Sequence, residues 1–216
     1  AGARAAGQPL AGVFRFRVGA CELTVLTDGT FAFPARERWP TAPGPELDRL
    51  LAESGQDVAA PTLQINVLAV RTGDRLILID AGTGGMFPMD ATTTGGLPAS
   101  LAAAGIRPED VDTLVLTHAH PDHLWGAVDG AFEQPIFPGA ELVVGAAEWD
   151  YWLAPERAET EFVTAACLGV LEPRLRRIEP GGVRKNPGGP RRRRRGRARV
   201  RVEHRERVRC RRRRLR

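Results

Sequence analysis

The sequence predicts a mixed α/β (α+β) domain followed by a short basic tail. Three observations carry that prediction. Strand-length blocks fill the first 80 residues, one of them alternating apolar and charged side chains and two nearly continuous in apolar ones. A further, almost wholly apolar block covers 111–116. Between 97 and 171, apolar residues recur at helical spacing, and from residue 181 onward all periodicity stops.

Residues 13–18, VFRFRV, have the two-residue period of a half-buried strand. Cys21–Leu26 continues with strand formers. Thr27-Asp28-Gly29-Thr30 reads as a hairpin turn, with 30–33 returning as a third strand. The proline-bounded stretch 40–45 is a loop, and 46–54 a short helix with Leu47, Leu50 and Leu51 on one face. Two apolar strands, 63–71 and 75–80, are joined by the tight turn Thr72-Gly73-Asp74. The glycine-rich stretch DAGTGG at 80–85 closes the second. Residues 97–104 form a helix ended by Gly105. The block 111–116 is expected in the middle of the sheet, covered on both faces. A helix starts over 124–128, a strand follows at 141–144, and 146–153 and 159–171 are helical. In the last, Phe162, Ala166 and Val170 form one stripe with Val163, Cys167 and Leu171 beside it, before Pro173 interrupts the pattern.

Composition bounds what the chain can be. Apolar residues make up 43% of it, enough for a core, and no apolar run approaches the roughly 20 residues of a membrane-spanning helix. The three scattered cysteines, Cys21, Cys167 and Cys210, give neither a disulfide framework nor a Cys-x-x-Cys metal knuckle. They read as core or incidental thiols and leave the compartment open. The chain opens on Ala1 rather than Met, as it would after removal of a leader, and residues 1–11 read as a flexible N-terminus. Localisation is therefore cytoplasmic or, after such a removal, periplasmic or secreted. The net charge of +5 conceals two opposed regions. Residues 191–216 hold 16 Arg and two Glu, a net of +14, which leaves 15 Lys+Arg and 24 Asp+Glu, a net of −9, on residues 1–190.

The chemistry concentrates at Thr117-His-Ala-His-Pro-Asp-His123. Three of the four histidines fall within six positions. Neutral imidazole is a strong ligand for zinc and its neighbours. In an extended loop, residues i and i+2 point the same way, so His118 and His120 can grip one ion, while Asp122 and His123 lie one step further and can face a second. Pro121 stiffens the turn between the pairs. The alternative is a set of surface histidines with Asp122 capping the next helix. The clustering, directly after a buried strand, favours metal binding.

LILIDAG at 76–82 followed by LVLTHAHPDH at 114–123 resembles the metallo-β-lactamase superfamily. The flanking stretches FRFRVGACELTVLTDGTF at 14–31 and FPGAELVVGAAEWDYW at 137–152 resemble its methyl parathion hydrolase and lactonase-like branch. The resemblance covers residues about 12–180 and implies a four-layer αββα sandwich with a binuclear, usually zinc, centre. His118 and His120 would bind the first ion, and Asp122 and His123 the second. A metal-bound hydroxide would attack an ester, lactone or phosphotriester. Asp122 would also act catalytically, orienting the hydroxide or carrying the leaving-group proton. Asp80 would hold the metal loop by hydrogen bonds, its alternative being an ordinary strand-end turn aspartate. Trp149, Tyr151 and Trp152 either line a substrate mouth or pack into the core.

The sequence also departs from the family. The superfamily takes further histidines and a bridging carboxylate from its second half. Here the only later histidine is His204, which matches none of those positions, and no Asp follows Asp150. With about two ligands per ion, where catalytic zinc usually has three, the activity is expected to be impaired. Residues 181–216 are expected to be a low-complexity, disordered basic tail, a separate region from 12–180. The tail is Arg-rich in the way that GC-rich codons become when read out of frame, so it reads as a frameshift product replacing the missing half. The other reading is a non-catalytic, basic-tailed binding protein with a vestigial metal loop, its tail binding nucleic acid non-specifically.

Overall fold

The computed structural model describes residues 12–86 and 93–181. The chain divides into two units, residues 1–182 and 183–216. The expectations for residues 1–11, for the Arg-rich tail and for Cys210 and His204 lie outside the described residues.

Unit one is built on one seven-stranded sheet whose spatial order is the chain order: β1 (Val13–Val18), β2 (Cys21–Ala32), β3 (Thr62–Thr72), β4 (Arg75–Ile79), β5 (Thr113–Val115), β6 (Glu141–Gly145) and β7 (Leu175–Ile178). Strands β1 to β4 form an antiparallel meander, and β4 to β7 run parallel. The helices are α1 (Ala35–Arg38), α2 (Gly44–Glu53), α3 (Leu97–Ala104), α4 (Pro121–Leu124), α5 (Ala146–Leu153), α6 (Pro155–Thr160) and α7 (Phe162–Leu171). Parallel neighbours need crossovers, and α3, α5 and α7 fall within them.

One sheet face carries the main core. Leu26, Val67, Leu78, Leu114, Leu142 and Val144 project from it against Leu97 and Leu101 of α3, Trp149 and Trp152 of α5, and Cys167, Leu168 and Leu171 of α7. On the opposite face the register aligns Phe14, Val25, Leu68, Ile79, Val115 and Val143 in one apolar row. Phe14, Phe16 and Val18 stand exposed at its β1 end, while Val143 is buried. No helix among the described residues is long and apolar enough to cross a membrane.

Several elements differ from expectation. Thr27–Thr30 is not a hairpin turn, because β2 continues for 12 residues through a bulge between Thr27 and Gly29. The bulge is held by the hydrogen bonds that buried Asp28 accepts, described below. It requires glycine at position 29, where φ is 148° and a Cβ would collide with the Thr93 carbonyl. Helix α2 buries Leu47 and Leu51 but leaves Leu50 exposed. The expected helix over 159–171 is two, broken at Glu161. Its inner stripe is Thr164, Cys167, Leu168 and Leu171, with Phe162 67% exposed. Strand β5 is shorter than 111–116, although Val111 and Leu116 flank it fully buried. The helix expected from Leu124 begins earlier, at Pro121, and ends in a 3₁₀ turn at Trp125–Ala127. Helix α1 and edge strand β7 are additional to the elements expected from the sequence.

Candidate functional site

The histidine loop leaves the C-terminal end of β5, beside the end of its parallel neighbour β4. Strand ends of this kind in open α/β sheets leave side chains projecting into a crevice with no further backbone pairing to satisfy. Asp80 follows β4 with φ of 65° and is 94% buried, being 6% exposed. Its carboxylate accepts hydrogen bonds from the Thr117 N–H (2.8 Å), the Thr117 hydroxyl (2.9 Å) and Nδ1 of His123 (2.8 Å). The Thr117 oxygen also lies 3.0 Å from Nδ1 of His118. With the hydroxyl proton directed to Asp80, that oxygen accepts from His118. Both imidazoles then carry their proton on Nδ1 and present Nε2.

The structure brings the expected residues together. The ring centroids of His118 and His120 are 4.8 Å apart, and those of His118 and His123 are 3.9 Å apart. Asp122 lies in the first turn of α4, whose N-cap is His120 with no side-chain cap bond, so Asp122 does not cap the helix. Its Oδ2 is 3.3 Å from His123 Nε2.

Electrostatics follow from this packing. Burial works to lower the His123 pKa, but the carboxylates of Asp122 and Asp80 outweigh it and raise it to about 9. Burial, together with His123 and His120 nearby, holds His118 below the ordinary histidine value. For Asp122, burial is opposed and outweighed by His123, so its carboxyl sits below its ordinary value.

Sequence reasoning missed the residues that hold this loop from behind. Glu148 of α5 accepts from the Ala119 N–H (2.8 Å) and from the Trp152 indole (2.6 Å), and the Trp152 ring meets the His120 ring edge-on at 5.3 Å. The signal was present in the i, i+4 spacing of Glu148 and Trp152. Trp149 and Trp152 are core residues, whereas Tyr151 is half exposed with the Arg157 guanidinium 4.3 Å from its ring centroid. Asp28, fully buried, accepts from the Thr83 N–H and hydroxyl, the Gly95 N–H and the Leu97 N–H. It thereby ties the glycine-rich loop to the start of α3. That loop is stitched to α4 through Ala81 N–H to the His123 carbonyl, and to the 3₁₀ turn after it through Gly126 N–H to the Gly82 carbonyl. Gly126 allows this approach, since a Cβ there would strike the Ala81 carbonyl.

The donors suit zinc in kind, being imidazole nitrogen and carboxylate oxygen. The 3.3 Å between Asp122 Oδ2 and His123 Nε2 also matches the donor-to-donor edge, about 3.3 Å, of a tetrahedron with arms of about 2.0–2.1 Å. The fit is pairwise. Among the described residues no group of three or more His, Cys, Asp or Glu is placed to hold a metal ion. A cavity of about 500 Å³ is lined largely by residues of α3 and the 126–137 segment, together with Asp28, Ala81 and Gly84, and by none of the histidines.

The sequence model of the metallo-beta-lactamase superfamily matches residues 60–201. Among solved structures, a dizinc quorum-quenching lactonase, AidC, in complex with a product is 28% identical. The match covers 82% of this chain and 65% of that one, with a TM-score of 0.72. The hydrolase AbOPH, of the beta lactamase superfamily, is also 28% identical, with coverage of 82% and 64% and a TM-score of 0.65. A probable metal-dependent hydrolase from Staphylococcus aureus shares the fold at 23% identity and a TM-score of 0.63, over 76% of this chain and 61% of its own. The chain thus spans just under two thirds of these proteins' length. No curated protein matches it. The superfamily match extends over about two thirds of the sequence, through β3, β4 and the histidine loop, and with it the chain belongs to the metallo-beta-lactamase superfamily.

Proposed function

We propose that this chain carries the histidine-loop part of a metal-dependent hydrolase for esters, lactones or phosphotriesters, with its activity impaired as written. The observation that carries this reading is the gathering of His118, His120, Asp122 and His123 at the ends of β4 and β5, with the Nδ1 atoms of two imidazoles already engaged. Zinc would be held by His118 and His120 on one side and by Asp122 and His123 on the other. When bound, it would supply Lewis acidity and a water of pKa ~7. Asp80 fixes the tautomer and direction of His123. Asp122, ionised near neutrality, can orient a water or accept a proton from it. The similarity to a dizinc lactonase favours a lactone among the three substrate classes.

Impairment rests on ligand number among the described residues, about two protein donors per ion where catalytic zinc usually has three. The test is zinc stoichiometry of the purified full chain beside turnover of a lactone, an aryl ester and a phosphotriester. We expect zinc to bind without enzyme-like turnover. Absence of zinc binding would overturn the metal reading, and two tightly held zinc ions with rapid turnover would overturn the impairment. A second reading, a basic-tailed binding protein with a vestigial metal loop, is favoured by one feature, the 16 Arg among residues 191–216.

A further inference from the structure

We propose that Glu148 is a positioning residue for the histidine loop, setting the direction in which His118 and His120 present their nitrogens to a metal ion. The proposal rests on the zinc-binding reading above. Ala119 separates those two histidines and is buried. Its N–H belongs to no strand or helix, and it is directed at Glu148 Oε1. A buried peptide N–H needs a partner, so this bond fixes the orientation of the backbone between the two rings. The same oxygen accepts from the Trp152 indole one helical turn further along α5. The Trp152 ring is buried, and its edge-on contact restricts the His120 imidazole from the other side. One carboxylate oxygen therefore controls both the peptide that follows His118 and the wall against which the His120 ring rests. Helix α5 is anchored in the core by Trp149, so Glu148 transmits the position of a rigid element to a loop that has no regular hydrogen bonding of its own.

Because both donors converge on Oε1, the test can separate geometry from charge. Glu148→Gln keeps an acceptor oxygen in the same place. Glu148→Ala removes it, and Glu148→Asp withdraws it by one methylene while leaving the charge and a helix-compatible side chain. The full-length chain and each variant are titrated with zinc against a chromophoric chelator, and with cobalt(II) followed by its visible absorption. Partners of this kind typically change metal affinity 10–100-fold, and we expect a loss of about that size for Glu148→Ala and Glu148→Asp. Their cobalt bands should be altered, and Glu148→Gln should restore affinity and spectrum to near the parent. If Glu148→Ala is too unstable to assay, Glu148→Asp and Glu148→Gln carry the comparison. A parent chain that binds metal, with Glu148→Asp matching it in affinity and spectrum, would overturn the positioning role alone. Glu148→Gln as weak as Glu148→Asp would do the same. A parent chain that binds neither metal would overturn the zinc reading and this proposal with it.

Discussion

His123 is pulled in two directions. Asp80 holds its Nδ1 proton, and Asp122 faces its Nε2, the nitrogen a metal ion would take. In the metal-free chain these carboxylates favour the imidazolium form up to about pH 9, against an ordinary value of 6.5. The folded-state pKa is the raised one. The stability it contributes is therefore fully present below pH 6.5 and is lost as pH rises through about 9. We expect urea unfolding of the metal-free chain to show a decline in stability over that window, and Asp80→Asn to flatten it. Zinc requires the neutral ring, so binding releases a proton from His123 below pH 9. Zinc affinity measured at pH 6.5, 7.5 and 8.5 should increase at each step, more steeply than in Asp80→Asn. A pH-independent affinity would contradict the assignment of His123 as a donor.

At the scale of elements, the bulge in β2 links the sheet to the loop under the site. Asp28 is fully buried, without a cationic partner among the described residues, and four N–H or O–H donors satisfy it. Asn at this position keeps one acceptor oxygen and introduces an amide N–H₂ facing donors. At least one buried group is left unpaired, at a cost of about 1–3 kcal/mol. Denaturant unfolding of Asp28→Asn should show a loss of that order, and an unchanged midpoint would contradict the role given to the network. This is also where the sequence misled. Thr-Asp-Gly-Thr has the composition of a hairpin turn, because the residues that favour turns also favour bulges, and only long-range partners such as Thr83 and Leu97 decide between them. The histidine loop was legible because its signal is local, with all four donors within six residues. The strands at 13–18, 63–71 and 75–80 were legible for the same reason. Glu148 was not, since its partners Ala119 and Trp152 become meaningful together only when α5 packs behind the loop. The inner face of α7 follows the row of Cys167 and Leu171 rather than that of Phe162, Ala166 and Val170, and it takes in the polar Thr164, whose hydroxyl accepts from the Trp125 indole.

For the whole molecule, the opposed charges of the body and the last 26 residues give a prediction independent of the metal. A segment with 16 Arg neutralises phosphates and releases their counterions, so its affinity for DNA falls steeply with salt and shows little preference for sequence. Retention of random duplex DNA by the full chain should drop by orders of magnitude between 50 mM and 200 mM salt, values within the usual range for such contacts. Retention that is insensitive to salt would remove the basis of the second functional reading. The sheet has a consequence of a different kind. Its strand order repeats the order of the chain from β1 to β7. During synthesis, each strand after β1 therefore finds one neighbour already made, and none waits for more than the next strand in the chain. The meander of β1 to β4 has all its partners in place before the histidine loop is translated, so the loop enters a site whose Asp80 wall is already standing.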